Sequence, residues 1–311
     1  MKLLDVVSKY IAYKRGLGIR FNTGARDLMA LCRTMGVSAR LETINRKKLQ
    51  RFLIGSRSAP VFRNRKHYTL LGLNRFVVGR GYRALPIVPL PPVKPRTFVP
   101  YVFTRDELRR LLDAIARRRR GKFLEAYTLR TILLLLYGAG LRISEATSLD
   151  LGDVDLDAAL ITVRETKFYK TRLVPLGIQL NQLMKAYAEW RGQEGYAQHA
   201  AAPFFILRSG ARVHHAIVRV AFQRLRQLAD LHHFDGQRPR LHDLRHTAAV
   251  HRLVAWYRHG ADVQTLLPRL SVYLGHVRLS STQVYLTMTP ELLREVSLRF
   301  QQYAMPGVRH E

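Results

Sequence analysis

Acidic side chains are scarce in this chain. Its 311 residues hold 22 Asp and Glu against 52 Lys and Arg, a formal net charge of +30. Cysteine is scarcer still. Cys32 stands alone, which excludes an intrachain disulfide and zinc-finger spacing, and its place in an apolar-periodic run predicts a small core residue. Long apolar runs are missing too: Ile132–Tyr137 is the longest, far short of the ~20 residues a membrane-spanning helix needs. The clustered carboxylates of a metal-dependent nuclease are not found. Asp5 interrupts any apolar segment near the start, so no signal peptide is expected, and the expected location is cytoplasmic and nucleoid-associated.

What is abundant is positive charge. Such an excess repels itself unless an anionic partner neutralises it, which points first to nucleic acid and second to an anionic membrane surface. A hydrophobic fraction of 47% is that of a globular protein, and the length suggests two domains.

Periodicity predicts helices over the first segment of the chain. Leu3, Val7, Tyr10 and Ile11 share a helical face that ends near Gly16–Gly18. Further helices are expected over Thr23–Met35, Arg46–Ile54 and Val61–Val78, the last with Tyr68, Leu71 and Phe76 inward. Their other faces carry Lys47, Lys48, Arg51, Arg65 and Lys66, and with so few acids between them phosphate contact is the better reading than a solvated surface. Six prolines between Pro86 and Pro100 predict an extended linker, on which Lys94 and Arg96 are candidate backbone contacts. Residues 1–85 are therefore read as a helical DNA-binding domain, 86–102 as linker and 103–311 as a second domain.

The second domain opens on a capping box, Thr104 to Glu107. A buried helix over Phe123–Tyr137 stops at Gly138-Ala139-Gly140. From Asp153 the period becomes two, predicting a β-hairpin over Leu160–Pro175 with a basic tip, and a second short hairpin is expected around Ser209-Gly210. Helices follow over His214–Leu231, His242–His259 and Val263–Tyr273, where Pro268 is expected to kink or break the last. Thr289-Pro290 opens a final helix with Leu292, Leu293, Val296 and Phe300 on one face. The fold class is thus mainly α with a small β element.

Three clusters carry possible chemistry. Arg142 follows a glycine break at a helix start, where its guanidinium can fork onto phosphate oxygens, with Glu145 one turn on. His242 and Arg245 share a helical face, and His246 lies a further turn along it. A metal between His242 and His246 is disfavoured: Asp243 stands where the H-E-x-x-H pattern has Glu, and no third ligand follows. His276 and Tyr285 lie nine residues apart. Tyr273 is a rival phenol whose position favours packing.

Taken together, five segments resemble the tyrosine recombinase (phage integrase) family. They are GAGLRISEA at Gly138–Ala146, TKFYKTRLVPL at Thr166–Leu176, LHDLRHTAA at Leu241–Ala249, LGH at Leu274–His276 and TQVYL at Thr282–Leu286. Each is weak alone; five in the family's order are specific. The segment before LGH resembles that of transposon-associated integrases. The resemblance implies that Arg142 and Arg245 clamp the scissile phosphate, that Tyr285 attacks it to leave a 3′-phosphotyrosine, and that Lys167 protonates the 5′-oxygen. Lys170, close by on the same hairpin, is the alternative to Lys167. His242 would act as acid and base toward Tyr285, His276 would bond the phosphate, and Glu145 would support the site. Lys170 and Arg172 would contact DNA. No cofactor or metal is implied. The implied partners are double-stranded DNA and further copies of the chain, a dimer on one site and a tetramer in synapsis, with the C-terminal helix docking on a neighbour. The expected function is site-specific integration or excision of a mobile element. The alternatives are a type IB topoisomerase-like relaxing enzyme and a non-catalytic DNA-binding module.

Overall fold

The computed structural model describes residues 1–36, 38–54, 60–86, 88–90, 101–118, 123–164, 171–231, 238–276, 279–287 and 297. The chain is mainly helical with one small sheet, and its described residues fall into two compact units, one before residue 91 and one from residue 101 onward.

The first unit holds α1 (Leu3–Gly16), α2 (Asn22–Met35), α3 (Arg46–Ile54) and α4 (Pro60–Val78). Leu3, Val6, Val7 and Tyr10 recur every three or four residues, so one stripe of α1 meets Leu28, Leu31, Leu53, Leu73 and Val77. Each buried aliphatic side chain contributes roughly 1.5–3 kcal/mol relative to exposure. Cys32 packs in this core. Tyr68 does not: it is 71% exposed. The inward stripe of α4 runs through Leu70, Leu73, Phe76 and Val77, and a residue two before Leu70 lies on the far side of a 3.6-residue helix.

The second unit begins with α5 (Arg105–Arg117), capped as its sequence predicts. The Thr104 hydroxyl accepts from Glu107 N at 3.2 Å, and Glu107 accepts from Thr104 N at 2.8 Å. The central helix is α6 (Ala126–Gly138), whose Leu129, Ile132, Leu133, Leu135 and Leu136 are all buried. It starts three residues later than expected, leaving Phe123 64% exposed. After α7 (Ile143–Ser148), three short strands form an antiparallel sheet in sequence order: β1 (Val154–Asp155), β2 (Leu160–Val163) and β3 (Arg172–Pro175). Ile161 pairs with Val174 on the buried face, and Val163 pairs with Arg172 at the end nearest the tip. The basic tip, residues 165–170, lies outside the described residues.

Next come α8 (Ile178–Gln193) and α9 (His215–Leu228). Between them the expected second hairpin reduces to a turn with one bridge, Ile206 to Arg212. Phe204 and Phe205 are both buried, and successive inward side chains are incompatible with the alternation of a strand. The chain closes with α10 (Asp243–Arg258), α11 (Val263–Leu274), the short α12 (Ser280–Gln283) and a 3-10 turn over Val284–Thr287. Pro268 lies inside a continuous α11 rather than breaking it. It sits on the exposed side, one turn in, and the carbonyl it leaves unpaired belongs to exposed Gln264, where water can satisfy it. Ala249, Val250 and Leu253 of α10 and Leu267, Leu270 and Leu274 of α11 form a separate apolar cluster that includes Tyr285. Among the described residues, no helix is long and apolar enough to cross a membrane. The expected C-terminal helix lies outside the described residues, save Ser297.

Candidate active site

The site is built where the ends of α6 and α11 meet the starts of α7 and α10. The chain leaves α6 through Gly140, whose φ of +61° turns its carbonyl toward Arg245; the guanidinium Nη1 donates to it at 2.6 Å. A Cβ at Gly140 would come within 2.8 Å of Leu274, so the close approach also demands glycine. Arg142 then takes the cap position of α7, and Glu145 reaches back to its N–H at 2.9 Å and to its Nη1 at 2.7 Å.

Glu145 is the hub of this site. Arg172, at the start of β3, donates to both its oxygens at 3.1 and 2.8 Å and to the Tyr273 carbonyl at 3.1 Å. Arg245 of α10 lies 3.9 Å from it and donates to the Leu274 carbonyl. Arg142 Nη2 donates to the Gly275 carbonyl at 3.0 Å. Gly275 ends α11 with φ +66°, and a Cβ there would meet the Arg172 guanidinium at 2.8 Å. Three guanidinium groups thus face one carboxylate, and the carbonyls at the end of α11 hold their planes in place. Arg245 is 1% exposed, whereas the Arg142 side chain keeps a third of its surface open.

Burial pushes the Glu145 carboxyl up, but the Arg172 hydrogen bonds and charge, followed by those of Arg142, outweigh it and hold the group at about 2. Burial and then the Arg142 charge bring Arg245 down to about 10, which still leaves it charged at neutral pH. The sign of the Glu145 shift fixes its pH dependence. A depressed carboxylate contributes stability above its unfolded pKa, near 4.3, and that contribution is lost as pH falls toward the folded value. The size is on the order of 3 kcal/mol. Glu145→Gln should lower unfolding stability by roughly 3–5 kcal/mol at pH 7, because three cations lose their shared anion. It should also flatten the fall in wild-type stability between about pH 4 and 2, read from urea midpoints across pH.

The phenol and the imidazoles occupy one neighbourhood. Tyr285 is 3% exposed, and its hydroxyl lies 2.9 Å from His246 Nδ1. His242, to which the resemblance assigns the phenol, instead sets its ring against that of His246, with centroids 4.6 Å apart and planes at 84°. His276 Nδ1 is 2.7 Å from the hydroxyl of fully buried Thr282, and its ring centroid is 6.0 Å from that of Tyr285. Burial raises the Tyr285 phenol, while the charges of Arg245 and Arg142 act the other way. Burial and then Arg245 lower His276 to about 4; burial and then His242 lower His246 to about 3. His242 keeps an exposed edge, yet desolvation followed by Arg245 lowers it as well. The imidazoles are therefore neutral at pH 7 and the guanidinium groups carry the charge.

The fold brings Arg142, Glu145, His242, Arg245, His276 and Tyr285 together. Lys167 and Lys170 lie outside the described residues, as do Lys94 and Arg96. Arg172, read from sequence as a DNA contact, is a partly buried partner of Glu145. In the first unit Lys47, Lys48 and Arg51 are exposed on α3, but Arg65 forks onto Asp27 at 2.8 and 2.9 Å. Lys66 lies over the Phe52 ring and donates to the Phe52 carbonyl at 3.3 Å. Sequence reasoning missed His246 as the partner of Tyr285, and Thr282 as the partner of His276. In the sequence His246 reads only as a possible metal ligand, and its i+4 spacing from His242 is the available signal. Asp243, the apparent third member of that motif, accepts instead from the Arg240 N–H at 2.7 Å and from its guanidinium at 2.8 Å.

Solved structures share this fold. A Tn1549 transposon integrase in complex with transposon right end DNA aligns over 99% of this chain and 100% of its own, at TM-score 0.69 and 16% identity. A lambda integrase dimer bound to a COC' core site aligns over 92% of this chain and 77% of its own, at TM-score 0.62 and 18% identity. In sequence, a protein of Sinorhizobium fredii (strain NBRC 101917 / NGR234) described as integrase/recombinase y4rB is 35% identical over 311 residues, covering 96% of each chain. Tyrosine recombinase XerA of Thermococcus kodakarensis is 35% identical over 209 residues, 66% of this chain and 64% of its own. The model of the phage integrase family matches residues 101–291. The chain belongs to the phage integrase family, and by family it is a tyrosine-type site-specific recombinase.

Proposed function

We propose that this recombinase cuts and rejoins duplex DNA through a 3′-phosphotyrosine at Tyr285, in the service of integrating or excising a mobile element. The observation that carries the reading is a buried phenol, hydrogen-bonded to a neutral imidazole and electrostatically coupled to two guanidinium groups, Arg142 and Arg245. A phosphodiester under attack gathers negative charge on its non-bridging oxygens, and preorganised cations in a dry site stabilise that charge. His276, steadied on Thr282 through Nδ1, offers Nε2 to a phosphate oxygen. The covalent link keeps the phosphodiester energy, so no energy source is consumed on rejoining. Lys167 on the hairpin tip would protonate the departing 5′-oxygen.

The DNA would be duplex, with Lys47, Lys48 and Arg51 of α3 among the phosphate contacts of the first unit. Arg65 and Lys66 already have partners inside that unit and are weaker candidates. The chain would work as a dimer on each site and a tetramer in synapsis. A groove of about 770 Å³ in the second unit, with Leu180, Trp256, Leu266 and Leu270 along its walls, suits an apolar segment such as the one the sequence carries after Thr289, supplied by a neighbouring copy.

A plasmid carrying two inverted copies of the cognate site tests the function. Inversion between the sites is the expected product; relaxation of supercoils without inversion would move the assignment to a topoisomerase-like enzyme. Because binding rests on many phosphate contacts, affinity is expected to fall by about 10³-fold or more between 50 and 200 mM salt, measured by fluorescence anisotropy.

A further inference from the structure

Resting on the reading of Tyr285 as nucleophile, we infer that His246 is the proton acceptor for the attack: its Nδ1 takes the phenolic proton as the tyrosine oxygen bonds to phosphorus. The step balances. The Oη–P bond forms, the P–O5′ bond breaks, the phenolic proton goes to His246, and the 5′-oxygen takes its proton from a separate acid. On rejoining, His246 returns its proton to the departing phenolate.

Four observations place the role on this residue. Among the described residues, His246 is the group that hydrogen-bonds the Tyr285 hydroxyl, at 2.9 Å. In the tautomer that carries its proton on Nε2, Nδ1 is an acceptor for the phenol. The pair is fixed from both sides: His246 is the fourth residue of α10, and Tyr285 is held in the apolar cluster of α10 and α11. Among the described residues His242 has no hydrogen bond to the phenol, and its ring packs edge-to-face on His246.

His246 is faced by His242, Arg240 and Arg245 from its own segment and by His276 from the end of α11, and with burial these keep it a weak base, near 3. A scissile phosphate brings a negative charge among the same cations. That charge offsets their effect on the imidazole and raises its basicity.

The test is single-turnover cleavage of a nicked suicide duplex, made with either oxygen or sulfur at the bridging 5′ position. Sulfur leaves without a general acid, so it separates defects on the nucleophile side from those on the leaving-group side. His246→Asn, which keeps a polar atom near the Nδ1 position, should slow both substrates by about 10²–10³-fold with DNA affinity within about threefold of wild type. Wild-type rates, or a deficit removed by sulfur, would overturn the assignment. Should His246→Asn lose DNA binding, His246→Ala in added imidazole decides. Recovery of about tenfold or more supports the role, and none overturns it. Tyr285→Phe runs alongside: a covalent complex there would sink the nucleophile itself, whereas its absence together with a normal His246→Asn sinks only this inference.

Discussion

Tyr285→Phe should bind DNA and leave it uncut. Removing one oxygen keeps the ring within the cluster of Val250, Leu253 and Leu274, so the site keeps its shape. The loss is one hydrogen bond to His246, worth about 1 kcal/mol of stability. Affinity for the target duplex is expected to stay within about twofold, since phosphate contacts elsewhere dominate it. Covalent complex formation should fall by at least ~10⁴-fold, because the attacking oxygen itself is removed. Tyr273 is no substitute: it packs between the two cores of the second unit, and its hydroxyl faces the Pro175 carbonyl at 3.4 Å. A denaturing gel of protein trapped on a suicide substrate reads the result directly. Residual trapping at the wild-type level would remove Tyr285 from the mechanism.

Arg245→Lys should be nearly as damaging as Arg245→Ala, with cleavage slowed by about 10²–10³-fold or more in both. The guanidinium does two things at once. Its Nη1 and Nη2 bridge the carbonyls of Gly140 and Leu274, tying α10 to the ends of α6 and α11, and its charge couples to Tyr285. A lysine keeps the charge but not the fork, so it cannot hold both carbonyls and still face a phosphate. Either substitution leaves buried carbonyls without a donor and should lower unfolding stability by roughly 1–3 kcal/mol for each unsatisfied group. Binding and thermal midpoint, measured beside the cleavage rate, separate the two roles. Full rescue by lysine would mean that charge alone matters at this position.

How far the sequence carried the reading depends on the kind of interaction. Helices with a strong apolar stripe, α2, α5 and α9, were legible because burial of one face dictates them. Pro268 does not break α11, because proline's cost depends on whether the freed carbonyl is exposed, a tertiary fact. Arg142, Arg245, His276 and Tyr285 are singled out through motif order, and the fold places them in one neighbourhood. What the motifs did not convey was the hydrogen-bond partnership among them. Glu145 binds Arg172 from a strand 27 residues away, and His246 holds Tyr285 across 39 residues. Arg65 and Lys66 looked like phosphate contacts because sequence reports charge but not the Asp27 and Phe52 groups that the fold brings to them.

These long-range pairs also change what the cationic cluster means. Arg142, Arg172 and Arg245 are not three free charges; one carboxylate and four backbone carbonyls fix their planes. Such preorganisation is what lets a site stabilise developing charge without rearranging during the reaction.

The central claim is tested most directly by trapping the chain on a nicked suicide duplex, digesting both protein and DNA, and identifying the adduct by mass spectrometry. The account predicts a nucleotide joined through its 3′-phosphate to the peptide that contains Tyr285, with a 5′-hydroxyl on the released strand. An adduct on any other residue, a 5′-phosphate linkage, or cleaved DNA with no adduct would contradict it.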